Sequence, residues 1–108
     1  MIVEMRIYHC MPGRLPALLE RFRHTTLGFF EKYGIKQIGF WTTAVGESNH
    51  TLTYLLSWED MAEREKCWNA FQADVAWQEK RAESERQQAI VCRIENSFLL
   101  PTDFSALR

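Results

Sequence analysis

The stretch Ile2-Val3-Glu4-Met5-Arg6-Ile7-Tyr8-His9-Cys10 alternates residue by residue. Val3, Met5 and Ile7 fall on one side, and Glu4, Arg6 and Tyr8 on the other, which is the pattern of a half-buried strand. Met11-Pro12-Gly13 breaks it. From Arg14 to Tyr33 the period changes: Leu15, Leu18, Leu19, Phe22, Phe29, Phe30 and Tyr33 make one apolar helical stripe, and Gly34 stands where a left-handed C-terminal cap belongs. Residues 35–45 are rich in β-formers, Gly46-Glu47-Ser48-Asn49 is a turn cluster, and Thr51 to Trp58 forms a second strand of the same hairpin.

Asp60-Met61-Ala62-Glu63 opens the next helix with a variant capping box, and this helix is expected to carry Met61, Trp68 and Phe71 inward. Asp74 is placed to cap a second segment from Val75 to about Arg86, so a bend is expected near Ala73-Asp74. Ile90 to Phe98 closes the chain as a strand, with Ile90, Cys92 and Ile94 on one face and Val91, Arg93 and Glu95 on the other. Pro101 marks the following tail as extended and surface-lying.

The order β-α-β-β-α-β predicts an α+β, ferredoxin-like fold: one antiparallel sheet with its helices on one face, and the last strand beside the first. The apolar side of the first strand is expected under the helices. Glu4 and Arg6 would then face Arg93 and Glu95 across the sheet. The mixed side, with Tyr8 and one or more of Trp41, Tyr54 and Trp58, would be left uncovered. Monomers rarely expose an apolar patch beyond a few hundred Å², so a two-fold homodimer stacked through this face is expected. Which faces of the two middle strands look inward is not fixed by pattern, because a one-residue slip exchanges them.

The bulk properties bound the function. A chain of 108 residues with 46% apolar content is read as one domain, residues 1–108. Thirteen basic against 14 acidic residues give a net charge of -1 without a basic stripe, which argues against nucleic-acid and membrane partners. Three cysteines at wide spacing, with no C-x-x-C, point to reduced thiols and a cytoplasmic setting. No apolar run approaches the roughly 18 residues of a membrane span.

The candidate site residues are chosen by chemistry. Tyr8, Trp41, Tyr54, Trp58, Trp68 and Trp77 are a heavy aromatic load. Such side chains serve core and interface packing, or they line a pocket whose N–H and O–H groups orient a small aromatic molecule. His9, at the end of the first strand beside Ile7, is expected at the rim of the helix–sheet cleft, as a structural histidine, a general base or a haem ligand. Arg6 is expected on the mixed face, paired with Glu4 or Glu95 or free to bind a ligand carboxylate. Arg64 either pairs with Asp60 one turn back or locks its helix onto the sheet.

His9 and Cys10 point to opposite faces of a strand, and no other His or Cys has ligand spacing, so neither a metal nor a cofactor is expected. Nucleophile-elbow, phosphate-loop and zinc-protease signatures do not occur.

Several stretches together resemble the NIPSNAP family. They are Val3 to Tyr8 with Pro12-Gly13-Arg14-Leu15, Gly39-Phe40-Trp41-Thr42-Thr43 with Gly46, and Trp58 to Glu65. Asp74-Val75-Ala76-Trp77-Gln78, and Glu95-Asn96 with Pro101 to Ser105, complete the match, with Val75 where the family usually shows proline. The resemblance implies a dimeric α/β-barrel, the architecture of small monooxygenases, haem-degrading proteins and certain isomerases, and it carries no single reaction with it. Three functions follow as expectations. The first is a homodimer binding a small apolar or aromatic molecule in a sheet–helix cleft. The second is a cofactor-independent monooxygenase or isomerase, and the third a protein-interaction subunit.

Overall fold

The computed structural model describes residues 1–108. Its elements are β1 (Ile2–Cys10), α1 (Leu15–Arg21), a wide π turn (Phe22–Thr26), α2 (Leu27–Lys32), β2 (Lys36–Thr42), β3 (Thr51–Trp58), α3 (Met61–Ala73), α4 (Val75–Ser84) and β4 (Val91–Leu99). The strands form one sheet in the order β2-β3-β1-β4, with every neighbouring pair antiparallel. The helices cover one face of it.

Local chemistry sets the helix ends. Gly34 has φ 71, and the Ile35 N–H reaches back to the Phe30 carbonyl at 2.9 Å, so a left-handed glycine closes α2 and turns the chain into β2. The Asp60 carboxylate accepts the Glu63 N–H at 2.8 Å, while Glu63 accepts the N–H of Glu59 rather than that of Asp60. Asp74 closes α3 and opens α4, its side chain accepting the Trp77 N–H at 3.0 Å. The bend expected there is present. Met61 is an exception to the expected pattern, pointing outward and 44% exposed.

The facing of β1 reverses the expectation. Glu4, Arg6 and Tyr8 are buried under the helices, and Met5, Ile7 and His9 lie on the open face. Register carries this across the sheet, because residues directly opposite one another share a face. Glu4, Arg6 and Tyr8 stand opposite Leu56, Tyr54 and Leu52 of β3, all buried, whereas Met5 stands opposite Leu55. Tyr8, Tyr54 and Trp58 are therefore core residues, and of the aromatics expected on the uncovered face only Trp41 is there, 51% exposed.

The cross-strand charge pairs are absent too. Glu4 and Arg6 face Phe98 and Asn96, while Arg93 and Glu95 stand opposite His9 and Ile7. Ile94 stands opposite Tyr8, and a register shift between His9 and Cys10 brings Val91 opposite Cys10, so both belong to the helix side and the simple alternation expected of β4 fails. The physical reason for the reversal is that the charged side chains of β1 find every partner they need beneath the helices. The apolar residues outside complete a face formed by Met5, Ile7, Leu55, Trp41 and Leu99.

Candidate functional site

Glu4 is the hub of the interior. Its side chain is fully buried and accepts five hydrogen bonds. One oxygen takes Trp58 Nε1 at 3.0 Å and Arg64 Nε at 3.1 Å. The other takes Arg64 Nη2 at 2.9 Å, Asn96 Nδ2 at 2.9 Å and Arg6 Nη1 at 3.2 Å. Burial pushes the Glu4 carboxyl up, but the donors from Arg64, Asn96 and Trp58 outweigh it and hold the group below its ordinary value. Of the two roles expected for Arg64, this bidentate pair selects the lock: it ties α3 to β1.

Next to this hub lies a second network. Arg6 donates from Nε to the Tyr54 hydroxyl at 2.9 Å and from Nη2 to the Tyr8 hydroxyl at 3.3 Å, and the two hydroxyls are 3.0 Å apart. The Arg6 guanidinium also sits 4.5 Å from the centre of a Trp68 ring. Burial opposes the charge on Arg6, but the tyrosines and Glu4 more than offset it and Arg6 stays cationic. Burial pushes the Tyr54 phenol well above its usual range, with Tyr8 adding to the effect, so it stays protonated.

Counting protons then gives a direction. Each oxygen already accepts from Arg6, and one hydroxyl must donate to the other. Tyr54 is 0% exposed, and Tyr8 is the one acceptor in reach of its hydroxyl. Tyr54 therefore donates to Tyr8, which leaves the Tyr8 proton free.

Tyr8 borders a cavity of about 390 Å³ between the sheet and the helices. Phe22, Phe30, Trp68, Phe71 and Trp77 supply its aromatic walls, and Val91 and Ile94 come in from β4. The π turn helps to shape one wall, because Arg21, Phe22 and Thr26 at and beside it all border the space. Arg21 donates from Nη1 to Glu85 at 3.0 Å and to Ser84 Oγ at 3.1 Å, while its Nε–H has no partner; neither has the buried indole N–H of Trp77. The other Glu85 oxygen accepts the Ile90 N–H at 2.9 Å. Burial raises the Glu85 carboxyl, and the hydrogen bonds from Ile90 and Arg21 bring it below its ordinary value.

The residues singled out in the sequence thus divide into three groups. Arg6, Tyr8 and Trp68 border the cavity, while Trp58 and Arg64 belong to the Glu4 hub beside it. His9 and Trp41 are on the opposite face of the sheet. There His9 Nε2 meets Glu95 Oε2 at 2.6 Å, a bond that holds the Glu95 carboxyl below its ordinary value. His9 is therefore not at the cleft rim, because it shares a face with Ile7 and that face is the open one. Arg6 is inside the core rather than on an uncovered face. Arg21 and Glu85 were missed; helical spacing could have found Arg21, which follows Leu18 by three residues on the buried stripe.

The fold recurs in solved structures. A NIPSNAP family protein from Agrobacterium tumefaciens is 26% identical and superposes with a TM-score of 0.88, covering 99% of this chain and 98% of that one. An uncharacterised NIPSNAP domain protein from Burkholderia xenovorans, also 26% identical, gives 0.84 over 97% and 98% of the two chains. A Nitrosomonas europaea protein proposed to be an antibiotic biosynthesis monooxygenase gives 0.64 over 94% and 98%, but at 8% identity this likeness concerns the fold alone. Among curated proteins, none is significantly similar. The NIPSNAP family model matches residues 3–106, nearly the whole of the sequence, and the chain belongs to the NIPSNAP family.

Proposed function

We propose that this chain is a homodimeric small-molecule binding protein that takes an apolar or aromatic ligand into the sheet–helix cleft of each protomer. The observation that carries the reading is the 390 Å³ cavity, walled by aromatic rings and bordered by side chains whose N–H groups lack acceptors. Cavities of this size and lining are where small ligands bind, and an unpaired buried N–H costs about 1–3 kcal/mol unless something supplies an acceptor. The second copy of the chain has its own support in the apolar open face of Met5, Ile7, Leu55, Trp41 and Leu99.

Binding is favoured over turnover by what borders the cavity. Donors are plentiful, but the one carboxylate, Glu85, is ion-paired with Arg21 and accepts the Ile90 N–H, and no histidine borders the space. A monooxygenase or isomerase would need an uncommitted base or an equivalent group within reach of the substrate proton.

A thermal-shift screen with aromatic acids, quinones, flavins and haem tests the proposal. A ligand at a hundred times its Kd stabilises the native state by about 2.7 kcal/mol, so at least one class should raise Tm by several degrees. A flat response across all four would contradict it.

A further inference from the structure

We infer that the ligand of this cleft carries a carboxylate, received by hydrogen-bond donors of which the Tyr8 hydroxyl is the most firmly directed. This deepens the binding reading above and rests on it. The hydrogen-bonding capacity around the cavity is lopsided. On the donor side stand the Tyr8 proton, which the Arg6–Tyr54 arrangement leaves over, and the N–H groups of Arg21 Nε and Trp77 Nε1, which find no acceptor in the chain. Both N–H groups are buried in the cavity wall, so a ligand reaches them as the Arg21 and Trp77 side chains shift toward it. On the acceptor side, Glu85 already accepts from Arg21 and from the Ile90 N–H, and the Gln72 and Thr26 side-chain oxygens are the neutral acceptors bordering the space.

Charge points the same way. Arg6 and Arg64 share a single carboxylate, Glu4, so that buried group is one positive charge in excess. Arg21 is balanced by Glu85, and Arg81, an exposed residue bordering the cavity, makes no ion pair. A ligand that only accepts hydrogen bonds and carries negative charge satisfies both imbalances, and a carboxylate does so with two oxygens. An amide of the same shape brings no charge and leaves the excess positive charge uncompensated. Arg6 touches no ligand in this scheme. It is a positioning residue that fixes the direction of the Tyr8 proton.

The test is isothermal titration of the full chain at pH 7 with 2-naphthoate and with 2-naphthamide, which share one ring system and differ in the group at issue. Charge-assisted hydrogen bonds exceed neutral ones enough to separate the pair by about ten- to a hundredfold in Kd, with the acid the tighter. Tyr8→Phe should weaken the acid about tenfold and the amide, whose carbonyl accepts the same proton without charge, by less. Tyr8 lies in the core, so Arg81→Gln at the exposed rim provides a second arm if Tyr8→Phe does not fold. It should lower acid affinity, reduce the salt dependence of that affinity and leave the amide unchanged. Amide binding as tight as acid, or an acid preference untouched by these substitutions, overturns the carboxylate inference and leaves the cleft as a neutral-ligand site. Absence of binding by either naphthyl probe overturns the carboxylate inference, while the cleft reading stands or falls by the thermal-shift screen.

Discussion

Glu4 shows how a single residue decides which way a strand faces. A carboxylate in a strand reads as solvent-facing, but here it is fully buried and engaged by four side chains, Arg6, Trp58, Arg64 and Asn96. Removing one partner of such a group leaves the others buried and uncompensated, which typically costs about 3–5 kcal/mol. Glu4→Gln should lose stability on that scale in urea unfolding. The Glu4 carboxyl is held below its ordinary value of 4.5 in the folded state. Its contribution is therefore complete above that value and fades as pH falls through the lower folded one. Urea midpoints measured from pH 6 downward should show this loss in the native chain and a shallower one in Glu4→Gln. The alternation of β1 was legible in the sequence, but its direction was not. Period is a local property, whereas facing depends on partners such as Trp58, Arg64 and Asn96, which are more than fifty residues away in sequence.

At the level of elements, the features that could be read in advance are those set by near neighbours. Gly34 was expected to cap the first helical segment and does so with positive φ; the Asp60 cap and the break at Asp74 followed from residue type and spacing. The π turn at Phe22–Thr26 and the register shift at the end of β1 left no such mark, because packing between layers sets them rather than the residues they contain. Asp60→Ala removes an N-cap and should cost about 1 kcal/mol. Asp74 does more: besides capping α4 it accepts from Lys32 at 3.0 Å and from the Tyr33 hydroxyl, tying the end of α2 to the start of α4. Asp74→Ala should therefore lower Tm further than Asp60→Ala, with the extra amide exchange concentrated in Val75–Ser84. Equal losses would show that the tie to α2 contributes nothing.

For the molecule as a whole, the reversed facing of β1 puts a more apolar surface outside than the sequence led one to expect. Met5, Ile7 and Leu55 lie there with Trp41 and Leu99, the last two 51% and 43% exposed. The proposed dimer buries this surface, and sedimentation velocity should find the native chain at twice the monomer mass at micromolar concentration. Leu55→Lys, at the middle of the face, should sediment as a folded monomer; a native chain already monomeric would remove the dimer from the account.

The same reversal separates the tryptophans into reporters of place: Trp41 on the open face, Trp58 in the Glu4 hub, Trp68 and Trp77 at the cavity. The most direct test of the cleft as the binding site follows the indole N–H resonances during titration with 2-naphthoate. The Trp77 signal should move far downfield as its unpaired N–H gains an acceptor, with a smaller shift at Trp68 and none at Trp41. Movement of Trp41 alone, or of no indole at saturating ligand, would contradict binding in the cleft.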